Sequence, residues 1–405
     1  MLRISWLKRW GLVVMVVCVA VTCGFAEEPD TVTIPREQYE RYQKVDTLLE
    51  IMGYVEDAYY EDVDEGLLLD GAAAGLLSSL GDPYTFYYTA ESFASYMEHQ
   101  SGEYAGIGIQ ISTSYVTRLS TISRVFTGSP AEAAGVQRGD ILYQVEDMFV
   151  TPETIQDAVN IMRGTPGTSV NVKFLRGDEI LEMTVARAKI KMNRVESCML
   201  PEQIGYIHLW EFMGDCVDGF KAAYYDLKDK GMKGLVLDMR DNPGGLLDDG
   251  VGIGDLFLDS GVLTYMEYRN GTRRYYRTGP GAEDLPVCVL INENSASCSE
   301  LLTGALRDRL GSRVIGKTSY GKGVVQTLLQ LDEKGDAMQL TIAQYFTPLG
   351  KEVHHVGIVP DVEIALPEGD NGMYQLGDLA DIQLRTAWED MLQTLNMSEE
   401  KGENE

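Results

Sequence analysis

Between Ile34 and about Tyr60 the apolar residues Tyr39, Tyr42, Val45, Leu48, Leu49, Met52 and Val55 recur in steps of three and four. That spacing lines one face of a helix and predicts an amphipathic helix with a buried side. A second helical stretch, 65–80, runs into Gly81-Asp82-Pro83, where glycine and proline end it. Residues 34–102 are therefore expected to form an N-terminal helical region. Over 103–190 the pattern changes to short β-rich runs at 107–112, 121–125, 141–145 and 170–174, separated by Gly, Pro and Asp turns and interrupted by one helix at 152–162. Such alternation predicts a separate compact mixed module. From Ile204 onward, apolar runs at 204–209, 235–237, 287–291 and 314–315 alternate with helical stretches at 218–229 and 299–310. Strands apolar on both faces and spaced by helices predict an α/β core with a buried sheet over 191–385. Residues 386–405 finish a helix and end in the polar tail 398–405, whose composition predicts disorder.

The first 26 residues modify this picture. Arg3, Lys8 and Arg9 precede an apolar run from Trp10 to about Val21, and Gly24 and Ala26 stand before Glu27. This is the layout of a secretory signal cleaved after Ala26. The run is short for a spanning helix, which needs about 20 apolar residues, so retention as a membrane tether is the secondary reading. Export to the periplasm, cell envelope or exterior follows. Thr22 stands before Cys23 where a lipoprotein signal wants a smaller residue, which disfavours a lipid anchor.

With 44% hydrophobic and 24% charged residues the chain reads as globular, and its net charge of −28 repels phosphate backbones. Nucleic acid is excluded as a partner. Cys198, Cys216, Cys288 and Cys298 lie beyond the signal, no Cys-x-x-Cys occurs, and the histidines are His99, His208, His354 and His355. A zinc site has almost no ligands to draw on, and no metal or other cofactor is expected. One or two disulfides are allowed in an exported chain, with their pairing open.

The chemistry concentrates in three segments. In Val289-Leu-Ile-Asn-Glu-Asn-Ser-Ala-Ser-Cys-Ser-Glu-Leu-Leu302 an apolar strand meets a cluster of small residues and then a helix. A serine at that turn is exposed beside helix N–H groups that favour negative charge. Ser297-x-x-Glu300 is equally a capping box. A nucleophilic serine needs a base, and none of the four histidines stands in a catalytic pattern. Lysine replaces histidine when burial lowers its pKa enough to leave the amine neutral. Thr318-Ser-Tyr-Gly-Lys-Gly-Val-Val-Gln326 offers Lys322 between glycines that let backbone approach another element, with Gln326 four residues on to hold the amine without adding charge. A solvated turn is the plain alternative there. Leu235-Val-Leu-Asp-Met-Arg-Asp-Asn-Pro-Gly-Gly245 runs from a strand into a turn that exposes amides, so Gly244 or Gly245 with the N–H of Cys298 would hold an oxyanion. Gly311-Ser-Arg-Val-Ile-Gly-Lys-Thr318 fits the phosphate-loop pattern, but a helix precedes it and no helix is predicted after it, which rejects nucleotide binding. In the middle module, Tyr104-Ala-Gly-Ile-Gly-Ile109 and Gly128-Ser-Pro-Ala-Glu-Ala-Ala-Gly-Val-Gln-Arg-Gly-Asp-Ile-Leu142 free amides to grip a carboxylate while a peptide adds as a strand.

Taken together these segments resemble the C-terminal processing peptidases, the tail-specific family, from about Ile34 to Arg385. Ser295-Ala-Ser-Cys-Ser-Glu300 is similar to that family's nucleophile motif, which puts the nucleophile at Ser297. The 318–326 segment resembles the one that carries the base and its partner, falling on Lys322 and Gln326. Asp241-Asn-Pro-Gly-Gly245 resembles the oxyanion turn, with Gly244, Gly245 and Cys298 as donors. Phe346-Thr-Pro-Leu-Gly and Gly357-Ile-Val-Pro-Asp361 resemble segments closing the core, and Gly81-Asp-Pro-Tyr-Thr85 the turn before the PDZ module. Cys298 stands where alanine is common, and only its backbone is needed. The resemblance implies a PDZ domain at 103–190 and a split α/β core at 191–385 with a mixed sheet. It also implies a serine endopeptidase acting on polypeptides at or near their C-termini, captured at Ile107, Gly108 and Ile109. The oligomeric state is open, a homo-oligomer included. The rival reading is a catalytically silent PDZ scaffold that binds peptides.

Overall fold

The computed structural model describes residues 33–101, 103–331, 333–367, 372 and 374–402. The segment read as a signal, residues 1–26, lies outside them. The chain divides into two units, one up to Ala73 and one from Ala74 onward.

In the first unit the helix expected over 34–60 is two, Arg36–Tyr42 and Asp46–Ala58. No glycine or proline marks the break, so the apolar spacing runs straight through it. Neither helix buries a residue, and Tyr39, Tyr42, Val45, Leu48 and Leu49 are exposed; two short helices offer too little surface to enclose a core. The stretch expected to be helical up to residue 102 also holds a strand, followed by helix Ala90–Ser101. Strand Phe86–Tyr88 pairs antiparallel with Ala337–Phe346, Phe86 opposite Gln339 and Tyr88 opposite Ala337, so this stretch belongs to the core sheet.

Within the second unit, strands Glu103–Gly106 and Ala188–Lys191 pair antiparallel and form the neck of the mixed module. Its sheet runs in the order Ile109–Ser114, Leu119–Val125, Ile141–Val145, Ser169–Arg176, Glu179–Ala186. The period of two is direct in Ser169–Arg176, where Val170, Val172 and Phe174 are buried while Ser169 and Asn171 are exposed. Helix Ile155–Met162 sends Ala158 and Met162 into the same core.

The core is split into two sheets. One runs Val195–Leu200, Ile204–Leu209, Gly234–Asp238, Val287–Ile291, Arg313–Gly316, Val362–Glu363, all parallel after the first antiparallel pair. The strands Ile204–Leu209, Gly234–Asp238 and Val287–Ile291 are buried at every residue, as central parallel strands under helices on both faces must be. The other sheet is antiparallel and runs Phe86–Tyr88, Ala337–Phe346, Gly261–Tyr268, Arg273–Thr278, with Val324–Gln330 also on Ala337–Phe346. The last helix, Ile382–Gly402, continues past Ser398, where the sequence predicts loss of order; residues 403–405 lie outside the described residues.

Candidate active site

Three neighbouring parallel strands deliver the candidate residues at their C-terminal ends, where ligands of α/β sheets gather. Gly234–Asp238 leads to the turn at 241–245, Val287–Ile291 to Ser297, and Arg313–Gly316 to the loop of Lys322. Polar side chains lace the first two loops together. Ser295 Oγ donates to Met239 O at 2.7 Å, Ser299 Oγ to Asn242 O at 3.0 Å, and Asn292 and Asp241 exchange hydrogen bonds of 2.9 Å. The strand end beneath them is braced by Asp238, fully buried, whose carboxyl Arg240 holds at 2.6 Å while also reaching Asp381 at 2.7 Å.

Ser297 precedes helix Cys298–Leu310 and does stand in the N-cap position, but its backbone is at φ +56, ψ −113. An ordinary N-cap is extended, and a β-carbon in this region is strained by about 1–3 kcal/mol. The segment is a sharp strand-to-helix turn, a geometry that can present a nucleophile. Glu300 satisfies the capping-box spacing and does more: its fully buried carboxylate accepts Ser297 N–H (2.7 Å), Ser319 Oγ–H (2.6 Å), Gly321 N–H (2.6 Å) and Lys322 N–H (2.9 Å). The Tyr345 hydroxyl lies 2.8 Å from both Ser297 O and Lys322 O. One carboxylate and one phenol thus fix both backbones.

Lys322 is half-buried, and burial depresses its pKa below the ordinary 10.5, against the opposing fields of Asp82 and Glu300. Its loop owes its path to the flanking glycines. Gly321 has φ +87, and a β-carbon on Gly323 would lie 2.3 Å from His354 N. Gln326 does not bond to Lys322 among the described hydrogen bonds; its Nε2 donates to Thr341 Oγ1 at 3.1 Å. At the candidate oxyanion turn, Gly244 has φ +98 and its missing β-carbon would sit 2.8 Å from Ser297 Cβ and 2.9 Å from Cys298 N. Its own N–H is taken by Asn242 Oδ1 at 2.9 Å. Gly245, exposed at φ +142, keeps its N–H outside that bond.

Ile107 and Gly108 form the loop into Ile109–Ser114. Gly108 is at φ +91, where a β-carbon would meet Ser129 Cβ at 2.2 Å, so only glycine fits. Among the described residues, strand Ile109–Ser114 is paired on one side only, by Leu119–Val125. A cavity of about 1400 Å³ opens beside it, lined by Ile107, Ile109 and Met162 and, from the core, by Trp210, Asp241 and Pro243. Ser297 and Lys322 do not line it.

The rejected phosphate loop is the left-handed cap at Gly311 followed by a sheet strand, Arg313–Gly316. His208 is buried and stacks on Trp210 at 3.8 Å, and the rings of His354 and His355 lie tilted against each other with centroids 3.8 Å apart; the side chain of His99 lies outside the described ones. The four cysteines 198, 216, 288 and 298 are free thiols. The sequence reading omitted Tyr345, which no local pattern marks, and the wider reach of Glu300, whose only local signal is the capping box.

The profile of peptidase family S41 matches residues 203–364, that of a PDZ domain 121–176, and that of the activating protease CtpB N-terminal domain 25–92. The chain belongs to the S41 peptidases and is a serine-type C-terminal processing peptidase. It is 33% identical to the carboxy-terminal processing protease CtpA of Bacillus subtilis, covering 80% of this chain and 70% of that one. With the carboxy-terminal-processing protease of Bartonella bacilliformis it shares 35% identity over 84% and 80%. The solved structure of a photosystem II D1 C-terminal processing protease superposes with a TM-score of 0.53 at 26% identity, covering 82% of this chain and 94% of that one.

Proposed function

We propose that the chain is an exported endopeptidase that cleaves polypeptides at or near their C-termini through a Ser297–Lys322 dyad. Neutral Lys322 takes the proton of Ser297 Oγ, the alkoxide adds to the substrate carbonyl, and the oxyanion is held by Gly245 and Cys298 N–H, with Gly244 shaping the turn. The ammonium then protonates the leaving amine and water releases the acyl group. The observation that carries this reading is the shared anchoring of Ser297 and Lys322 on Glu300 and Tyr345, since nucleophile and base act as a unit only when their separation is fixed. Gln326 acts at one remove, through Thr341. Ile107, Gly108 and Ile109 would receive the substrate's terminal carboxylate, and the unpaired edge of 109–114 its last residues.

The test is mass spectrometry of fragments from an unfolded protein. Wild type should cut it, and Ser297→Ala and Lys322→Arg should each lose roughly four orders of magnitude or more in rate, arginine being unable to give up its proton. Substantial cleavage by Lys322→Arg excludes the lysine base.

A further inference from the structure

The turn Gly81-Asp-Pro-Tyr-Thr85 lies far from Lys322 in sequence, yet it is fastened over the lysine. Asp82 Oδ1 accepts Tyr84 N–H at 2.9 Å and Oδ2 accepts Thr85 Oγ1–H at 2.7 Å. Buried Thr85 Oγ1 in turn accepts Thr341 N–H at 3.0 Å, and Gln339 Nε2 donates to Tyr84 O at 3.1 Å. Strand 86–88 continues the seam along Ala337–Phe346. The outcome is that the Tyr84 ring stands over Lys322, its centroid 4.9 Å from Nζ, while the Tyr84 hydroxyl bonds to Tyr320. Gln326 joins the same assembly, since Thr341, to which it donates, also bonds through its side chain to Asp82.

We propose that Asp82 and Tyr84 are positioning residues for the base: Tyr84 walls Lys322 Nζ from water, and Asp82 supplies the counter-charge for the ammonium formed when Ser297 gives up its proton. The inference rests on Lys322 being that base. In the step concerned the Ser297 O–H bond breaks and an Nζ–H bond forms, leaving alkoxide and ammonium. An amine kept neutral only by burial resists that charge. The ring face 4.9 Å from Nζ and the field of the fixed Asp82 carboxylate offset that resistance. The ionisable groups around the amine are Asp82, Glu300 and Tyr84, with Tyr320 behind Tyr84, Tyr345 on Glu300 and His354 beside Asp82. Of the carboxylates, Glu300 is committed to four donors of the backbone staple. Burial pushes the Asp82 carboxyl up, but the Thr341 and Thr85 hydroxyls and Tyr84 N–H outweigh it and keep it below the ordinary range, so it is ionised whenever the enzyme works.

The two residues therefore have opposite signatures. Asp82→Asn keeps the shape of the turn and removes the anion that favours ammonium, so the rising limb of kcat/KM against pH moves to lower pH. Tyr84→Ala loses the ring-face attraction but readmits water to an amine whose largest perturbation is burial, so its limb moves to higher pH. Tyr84→Phe keeps the ring and returns the limb toward wild type. The measurement is kcat/KM of the full chain from pH 6 to 10 on a quenched peptide with a free C-terminus. A second readout needs no turnover: the pH dependence of Lys322 modification by acetic anhydride in Ser297→Ala chains should show the same opposite displacements. If folded Asp82→Asn and Tyr84→Ala both titrate as wild type, or both move the same way, the proposal fails while the dyad stands. If Lys322→Ala retains full activity, the dyad itself fails.

Discussion

Glu300 holds four donors on one carboxylate without exposure to solvent, an arrangement only an acceptor-only group satisfies. Burial raises its pKa, and the donors repay part of that cost. In Glu300→Gln one oxygen becomes an NH₂ that must face N–H groups. At least one donor then goes unmet in the interior, at about 1–3 kcal/mol. We expect a lower melting temperature, and turnover reduced at saturating substrate rather than a raised KM, because the Ser297–Lys322 separation is what is disturbed; steady-state kinetics beside calorimetry checks both. At this scale the sequence was informative where chemistry is local. Ser297 and Lys322 stand in small-residue segments, and the structure brings both backbones onto Glu300 and Tyr345. Gln326 was legible as a residue but not as a contact, because its partner Thr341 lies on another strand. Asp82 and Tyr84 read only as a turn, since their contacts cross most of the chain to reach 322 and 339–341.

Among the elements, the loops after three parallel strands carry the candidate residues, and their glycines mark where backbones nearly touch. Gly323→Ala would drive a β-carbon to 2.3 Å from His354 N, a backbone atom that cannot rotate aside. The base loop must shift, with a destabilisation on the order of 1–3 kcal/mol and loss of activity. Gly75, in helix Glu65–Ser78, has nothing within 4 Å of an added β-carbon. Gly75→Ala should therefore stabilise, by about 0.5–1 kcal/mol. Thermal unfolding of the pair against wild type tests the contrast; equal shifts would contradict the geometry. The buried strands 204–209 and 287–291 were legible because continuous apolar runs leave few alternatives. The break at 43–45 was not, since apolar spacing reports which side of a helix is greasy and not whether the helix is continuous.

For the molecule as a whole, the groove of the PDZ domain and the turn at 241–243 share one cavity, so a chain end held at one wall can extend to the other. In the proposed recognition, the N–H groups at 107–109 would favour an ionised carboxylate over an amide, charged hydrogen bonds being worth about 1.5–3 kcal/mol against about 1 for neutral ones. Amidating the C-terminus of an apolar-tailed peptide should weaken its capture by the full chain by roughly tenfold or more, measured by calorimetry with Ser297→Ala to prevent cleavage. Equal affinities would remove the carboxylate from the recognition scheme. Strand 86–88, inside the stretch expected to be helical, was not legible, because it is only three residues long and its partner lies at 337–339; no pattern within 80–102 announces that pairing.

Ser297 carries a left-handed backbone that its side chain does not welcome, so the fold is less stable for having a serine where the proposed nucleophile stands. The usual inactive variant, Ser297→Ala, keeps the β-carbon and with it the strain. Ser297→Gly removes both hydroxyl and strain, a gain of about 1–3 kcal/mol reduced by the extra freedom of glycine in the unfolded chain, about 0.5–1 kcal/mol. The glycine form should melt above the alanine form, and comparing the two by calorimetry separates backbone strain from loss of the hydroxyl. For holding an uncut polypeptide long enough to identify it, the glycine form is the better bait.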